Sequence, residues 1–452
     1  MHIHFMGIGG SGVSGLAVFA ASLGYKVSGC DSCESDYFKM VKGKGIPCMK
    51  GHSASHLDGV DLLVRSSAVR LDNEEVVEAE KRGIEVKRRG EFLAYLLNDR
   101  YTIGVGGSHG KTTTTWMIFR LLREAGVSAS IYAGGKSGGF SSICDSEPFV
   151  VELDESDGSI FLAKPDSLVL TNLEYEHADY YKSPLDMLKR FEDYLHSYRR
   201  ESLVVGRGFD LSDRINDDFS PLSFPSRGEV ENGEPFQNSD GSGFTFSNGK
   251  LWFEPHGRKV CVGRLNEPLH ILQNRSAALL AANNYLGSQG RSMPDIDYES
   301  FWNNLPKVDR RFQVVGSYHG LSLVDDYAHH PSEIRATIEQ ARGAYRSFYL
   351  IFQPHRYSRF SAFYDRFVET LKGVENLFVL PVYSAGEEKL DVDSESLVKE
   401  LNGLGNNAKY FESVEQVVDF IKLNVDSFKA SAIVSVGAGD LNRVFRELLG
   451  AR

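Results

Sequence analysis

Apolar positions along the chain switch repeatedly between two periods. His2 to Met6 reads as a buried strand, Gly7 to Gly12 as a turn, and Ser14 to Leu23 as a helix whose Leu16, Phe19 and Leu23 recur at helical spacing. Lys26 to Gly29 starts a second strand, and the alternation runs on through Leu62 to Arg65 and Glu74 to Arg82, which predicts a parallel sheet with helices against it. The short polar stretch Leu97 to Arg100 precedes a fresh strand, Tyr101 to Val105. A second unit opens there, with a glycine loop, a helix through Trp116, Ile118, Leu121 and Leu122, and strands at Phe149 to Leu153 and Ser167 to Thr171. Between Gly206 and Pro268, short segments rich in Gly, Ser, Asn and Phe read as β-hairpins. His270 to Leu286 returns to helix, and the chain turns at Pro306 to Arg311. Alternation then resumes in Leu321 to Asp325, Pro331 to Arg342, Tyr349 to Phe352, Phe378 to Leu380 and Ile433 to Val436. Three α/β domains are expected, over residues 1–98, 99–305 and 306–452.

Composition narrows the class. A chain of 452 residues fits two to four domains at roughly 100–200 residues each, and 42% hydrophobic with 25% charged residues excludes a mainly disordered or collagen-like chain. Lys and Arg number 50 against 61 Asp and Glu, a formal charge of -11. That balance repels a phosphate backbone, so nucleic acid is not expected as a partner. No run approaches the roughly 18 apolar residues that cross a bilayer, and Met1 to Phe5 is no signal peptide, so a soluble cytoplasmic protein without a membrane partner is expected. Five cysteines make no disulfide framework. Cys30 and Cys33 form a C-x-x-C with Cys48 nearby, but no fourth ligand sits at zinc-finger spacing and the pair follows a strand, so reduced structural thiols are expected.

Two glycine loops carry candidate chemistry. Gly7, Gly9 and Gly12, with Gly10 between them, satisfy G-x-G-x-x-G, and Asp31 lies about twenty residues on, where a ribose-binding acid sits. Glycines that admit close backbone approach, and a helix N-terminus beyond them, suit a nucleotide-sugar diphosphate as well as NAD; a tight turn without ligand is the alternative. The second loop is Gly104-Val-Gly-Gly-Ser-His-Gly-Lys-Thr112. A strict Walker A would need glycine at Val105, yet the working part is present: Gly110 lets amides wrap phosphates, Lys111 places a charge on the β and γ oxygens, and Thr112 can ligate Mg²⁺. ATP binding is expected.

Further candidates stand at strand ends. Glu152, in Glu152-Leu-Asp-Glu-Ser-Asp157, is the natural magnesium partner of Thr112, with Asp154, Glu155 and Asp157 as rivals. His177 also follows a strand, where a metal ligand and an ordinary loop histidine are equally compatible with its position. Asp325-Asp-Tyr-Ala-His-His-Pro331 and Gln353-Pro-His-Arg-Tyr-Ser-Arg359 each follow a strand. The paired arginines suit a carboxylate substrate, which guanidinium forks bidentately, although a solvated basic turn has the same spacing.

Taken together, these stretches resemble the Mur ligases, the ATP-dependent amino-acid ligases of bacterial cell-wall synthesis. The resemblance runs in order through Gly7 to Gly12, Gly107-Ser-His-Gly-Lys-Thr-Thr-Thr-Thr115, Glu152 to Asp157, Thr171-Asn-Leu-Glu174 with His177, Arg310-Arg-Phe312, Asp325 to Pro331, Phe352 to Arg359, and Tyr383-Ser-Ala-Gly-Glu387. It implies an N-terminal Rossmann-like domain for a UDP-sugar, held by Gly7, Gly9, Gly10, Gly12 and Asp31. It implies a central P-loop ATPase-like domain with a mixed sheet, and a C-terminal Rossmann-like domain that closes over ATP and brings the amino acid. The expected reaction joins L-alanine to the lactyl carboxylate of UDP-N-acetylmuramate through an acyl phosphate, with ATP and Mg²⁺, in a monomer or homodimer. Lys111, Glu152 and His177 would be catalytic, with Thr112, Glu152 and His177 on the metal. ATP would be held by Gly107, Ser108, His109, Gly110, Lys111, Thr112 and Thr113, and also by Asn274, Arg311 and Asp326. Tyr327, His329, Arg356 and Arg359 would cradle the alanine. Where the family shows His-Asn-x-x-Asn, this chain reads His270-Ile-Leu-Gln-Asn274. Other readings are a ligase that attaches a recycled peptide to the same sugar, an NAD-binding oxidoreductase, and a non-catalytic nucleotide-gated binding protein.

Overall fold

The computed structural model describes residues 1–97, 100–133, 147–156, 158–176, 180–206, 221–305 and 310–450. Asp157, His177 and both expected domain boundaries, at 98/99 and 305/306, lie at or beyond the edges of these stretches. Two compact units emerge, one of Met1–Tyr175 with Ser183–Pro306 and one of Glu176–Lys182 with Lys307–Arg452.

In the first unit, β1 (His2–Met6) is buried at every position after His2, as a central strand of a sheet covered on both faces must be. With β2 (Lys26–Asp31), β3 (Cys48–Lys50), β4 (Leu62–Arg65) and β5 (Glu85–Arg88) it forms a sheet in the order β3-β2-β1-β4-β5. All its pairings are parallel. Strand order reverses beside β1, so the turn that follows it opens at the crevice where such sheets bind ligands. Ser35 and Asn73 cap the helices Asp36–Gly43 and Glu74–Lys81 with their side-chain oxygens, contacts that contribute about 1 kcal/mol each. Cys30 stands within β2, where the sequence placed it just after a strand.

The next sheet contains β6 (Thr102–Gly106), β7 (Ser130–Tyr132), β8 (Phe149–Glu152), β9 (Ser167–Leu170), β10 (Ser202–Gly206) and β11 (Leu222–Phe224), in the order β11-β10-β9-β6-β8-β7. Here too the order reverses beside the strand that leads into a glycine loop, β6. Every described pairing in this sheet is parallel, whereas the sequence reading made the central sheet mixed. The antiparallel strands form a separate sheet of β12 (Phe236–Gln237), β13 (Gly243–Ser247), β14 (Lys250–Glu254) and β15 (Val260–Arg264). The helix Leu269–Ser288 is buried on nearly every side. It packs against the helix Lys111–Glu124 and against strands of both sheets, so one apolar core runs from Ile118 and Leu121 through Leu279 and Leu280 to Phe244 and Phe253.

The second unit carries β16 (Gln313–Tyr318), β17 (Leu321–Asp326), β18 (Phe348–Phe352), β19 (Asn376–Val379), β20 (Asn407–Tyr410) and β21 (Ala432–Val436), in the order β16-β17-β21-β18-β19-β20. Only β16 runs antiparallel. Because β17 and β18 both flank β21 in parallel, the segments after them, from Tyr327 and from Gln353, emerge side by side at one sheet end. Among the described residues no helix is long and apolar enough to cross a membrane.

Candidate active site

The first glycine turn is fixed by its own sheet. Gly7 has φ +78, a left-handed conformation suited to glycine, and its N–H and that of Ile8 donate to the Cys30 carbonyl. Gly10 N–H donates to the Gly7 carbonyl, and Gly10 is the N-cap of the helix Ser11–Ser22, its carbonyl accepting from Ser14 N–H. Asp31 Oδ2 accepts from Gly9 N–H at 2.8 Å, and a Cβ on Gly9 would stand 2.9 Å from that oxygen. The other Asp31 oxygen accepts from Cys33 N–H at 3.1 Å. Asp31, the residue expected to bind a ribose, therefore also holds the turn itself. A Cβ on Gly12 would lie 2.7 Å from Arg89 Nη1, and Tyr132 donates to the Gly12 carbonyl at 3.0 Å. Arg89 in turn pairs with Asp154 at 3.2 Å, so the first glycine turn and the second sheet's strand ends are joined by direct bonds.

The second loop is held by the run after β9. His109 N–H donates to Asn172 Oδ1 at 2.9 Å, while Thr171 Oγ1 and Asn172 Nδ2 both donate to the His109 carbonyl. Ser108 Oγ donates to the Glu174 carbonyl and accepts from Glu174 N–H. Gly107 and Gly110 have φ +122 and +81, and a Cβ on Gly110 would stand 2.5 Å from Asn274 Oδ1. Asn274 thus packs on the loop from the helix Leu269–Ser288. Lys111 and Thr112 begin the helix Lys111–Glu124, with Thr113 in its first turn.

Three carboxylates at and just after the end of β8 sort themselves by partner. Lys111 Nζ donates to the Gly107 and Ser108 carbonyls and pairs with the buried Glu155 at 2.8 Å. Burial alone would lower the Lys111 pKa, but Glu155, Asp154 and Glu152 outweigh it and hold the ammonium above the ordinary lysine value. Burial would raise Asp154, yet Arg89 and Lys111 keep its carboxyl well below the usual range. Glu152 accepts from the Thr112 hydroxyl at 2.8 Å. Of the rivals named from sequence, Asp154 and Glu155 thus answer cations, and Glu152 shares Thr112.

In the second unit, the loops after β17 and β18 build one cluster. Asp326 accepts from the N–H groups of Phe312 and Ala328 and from Thr337 Oγ1; burial, against the pull of Arg311, pushes its pKa up to about 6. Arg311 faces Glu333 at 3.5 Å and lies over the Tyr327 ring. His329 sits 3.7 Å from Glu176 and 3.4 Å from Glu333. Arg359 is buried and pairs with Glu176 at 2.9 Å. Arg356 is more exposed, faces Glu387 at 4.0 Å, and has φ +67. Its N–H donates to the carbonyl of Tyr383, whose ring stacks on His355. The sequence assigned no role to Glu176, His355, Tyr383 or Glu387. His355 lies in the Phe352 to Arg359 run, and Tyr383 and Glu387 lie in the Tyr383–Glu387 stretch, both of which carry the family resemblance, whereas Glu176 falls just beyond the Thr171–Glu174 stretch.

Burial lowers the His329 pKa from 6.5 to about 4, against the pull of Glu333 and Glu176. A lowered histidine contributes stability that is present above the unfolded value and lost as pH falls through the folded one. We expect stability to decline between pH 6.5 and 4, and His329→Gln to flatten that decline in urea titrations at stepped pH; an unchanged slope would show that the imidazole is not held neutral.

Family models match the chain along its length: a Mur ligase family catalytic domain over residues 2–101, a Mur ligase middle domain over 105–205, and a Mur ligase glutamate ligase domain over 310–439. A UDP-N-acetylmuramate–L-alanine ligase of Carboxydothermus hydrogenoformans is 35% identical, covering 99% of this chain and 96% of its own. One from Desulfatibacillum aliphaticivorans is 34% identical over 100% of this chain and 98% of its own. The crystal structure of a UDP-N-acetylmuramate–alanine ligase from Thermotoga maritima matches with TM-score 0.76 at 25% identity, covering 100% of this chain and 98% of its own. A murein peptide ligase from Psychrobacter arcticus shares the fold with TM-score 0.65 at 19% identity, covering 100% and 98%. Matched in all three parts and over its whole length, the chain belongs to the Mur ligase family.

Proposed function

We propose that this protein joins L-alanine to the lactyl carboxylate of UDP-N-acetylmuramate, with ATP cleaved to ADP and phosphate. The observation that carries the ATP half is the loop at the β6 crevice, with Lys111 and Thr112 opening a helix and Glu152 on the Thr112 hydroxyl. An oxidoreductase built on Gly7 to Gly12 leaves that arrangement without a use. Residues 1–98 act as a Rossmann-like UDP-sugar domain, 99–305 as the P-loop ATPase-like domain, and 306–452 as the Rossmann-like domain that brings the amino acid. A ligase that consumes ATP and a UDP-sugar works in the cytoplasm, where both are made.

A carboxylate is a poor electrophile, so its oxygen first attacks the γ-phosphorus of ATP, the bond to the bridging oxygen breaks, and ADP leaves. Lys111 offsets charge on the transferring phosphoryl group, which is positional and electrostatic catalysis. The alanine nitrogen then attacks the acyl carbon, loses a proton, and expels phosphate. Arg356 orients the alanine carboxylate together with Arg359, Tyr327 and His329, of which Arg359 and His329 both face Glu176. Arg311, Asp326 and Asn274 complete the ATP contacts, and Gly7, Gly9, Gly10, Gly12 and Asp31 hold the UDP-sugar.

Thr112 and Glu152 are hard oxygen donors 2.8 Å apart, the donor type that suits Mg²⁺, and His177 is the third ligand the family resemblance implies. Bound there, Mg²⁺ neutralises phosphate charge. Glu152→Gln should raise the half-saturating Mg²⁺ concentration roughly tenfold, the factor given by about 1.4 kcal/mol. The alanine KM should barely move, and high Mg²⁺ should restore the rate by mass action. A variant that no Mg²⁺ concentration rescues would remove Glu152 from the metal.

A further inference from the structure

Four side chains that the ligase reaction does not use meet on one face of the N-terminal sheet. His4 lies in β1, Cys30 in β2, His56 in the short turn Ala54–Leu57, and Glu75 in the first turn of the helix Glu74–Lys81. One nitrogen, sulfur or oxygen atom from each lies within 4.8 Å of all the others. Tetrahedral ligands around zinc stand roughly 3.3–3.8 Å apart, given bonds of about 2.0–2.3 Å, so small side-chain shifts would close the set. His4 is fully buried, and its Nε2 has no hydrogen-bond partner although it faces Glu75 Oε2 at 3.9 Å. Buried ring nitrogens are rarely left so. The other nitrogen, Nδ1, is bonded to Ser28 Oγ at 2.9 Å, which fixes the ring as a second-shell partner fixes a metal-bound histidine.

We propose that His4 Nε2, Cys30 Sγ, His56 and Glu75 bind one Zn²⁺ that ties β1, β2, the turn and the helix together. Two imidazoles, a thiolate and a carboxylate form a closed, partly soft donor set, suited to Zn²⁺ and not to Mg²⁺. Binding displaces the Cys30 thiol proton, now donated to Glu75 Oε2 at 3.0 Å, to solvent. His52, 3.3 Å from Cys30 Sγ, stands just outside the set. The C-x-x-C takes no part as a pair: Cys33 Sγ turns to Asp31, and Cys48 Sγ donates to the Ile46 carbonyl.

The test uses the full chain stripped with chelator and free of Mg²⁺ and nucleotide. Zinc titrated against a chromophoric competitor should bind at one equivalent. Cobalt in its place should give tetrahedral d–d bands and a thiolate-to-cobalt charge-transfer band. Cys30→Ser should abolish that band, and Ser28→Ala should weaken zinc by about 10–100-fold, with circular dichroism confirming that both variants fold. Should either variant fail to fold, the wild-type cobalt spectrum decides alone. A wild-type spectrum lacking the thiolate band, a band that persists in folded Cys30→Ser, or no stoichiometric zinc would overturn the site.

Discussion

Replacing Lys111 by alanine will abolish amide-bond formation while leaving the affinity for UDP-N-acetylmuramate almost unchanged. Lys111 follows Gly110 at the helix start, with its ammonium held on two loop carbonyls and against Glu155. Removing a preorganised charge from the transferring group costs about 10²–10³-fold or more in kcat. The substitution also withdraws the cation that faces the buried Glu155, and breaking a buried pair destabilises a fold. Lys111→Ala with Glu155→Gln removes that charge too, so it should regain stability and stay inactive. The glycine turn for the sugar follows β1, and Lys111 touches none of it in the bonds described above. Calorimetry without ATP will check this. An equal loss of UDP-sugar affinity would contradict the separation of the two loops, which share the Arg89 to Asp154 pair.

Arg356→Lys will weaken the use of alanine by about 1.5–3 kcal/mol, the range for a hydrogen bond to a charged group, because lysine keeps the charge and loses the planar fork. The KM values for ATP and UDP-sugar should hardly move. Arg359→Lys will behave differently from its neighbour. Arg359 is buried against Glu176 at 2.9 Å, so its loss should appear first as lower thermal stability and only then as weaker alanine use. Steady-state kinetics varying one substrate at a time separate these outcomes. If Arg356→Lys weakens ATP as much as alanine, the guanidinium serves phosphate and the amino-acid assignment fails.

Much of this was readable from local pattern. Leu62–Arg65 is a strand with the bounds its apolar run implies, and the glycine loops fall at strand ends because glycine is demanded where Gly7 and Gly110 take positive φ. Elements with weak burial contrast were not readable. β16 exposes Val314 and Val315, and β20 buries only Ala408 of its four residues, so neither shows a strand's signature. The helix Ser11–Ser22 starts three residues before the apolar spacing does, since it opens on Ser11 and Gly12, which carry no apolar side chain to mark it. In the site, Lys111, Thr112 and Glu152 carry motif and position, but Glu176 does not. It belongs to a seven-residue piece of chain that joins the C-terminal unit, and nothing in its neighbours along the sequence foretells Arg359 or His329. His4, Cys30, His56 and Glu75 are likewise assembled by sheet register and helix placement, from positions whose spacing matches no motif.

Alanine ligation is to be measured as phosphate release and product mass for the purified protein with ATP, Mg²⁺ and UDP-N-acetylmuramate, in parallel with no acceptor, with L-alanine, and with the tripeptide L-alanyl-γ-D-glutamyl-meso-diaminopimelate. Rapid phosphate release is expected with L-alanine alone, matched mole for mole by UDP-N-acetylmuramoyl-L-alanine. Preference for the tripeptide, or phosphate release indifferent to any acceptor, would contradict alanine ligation.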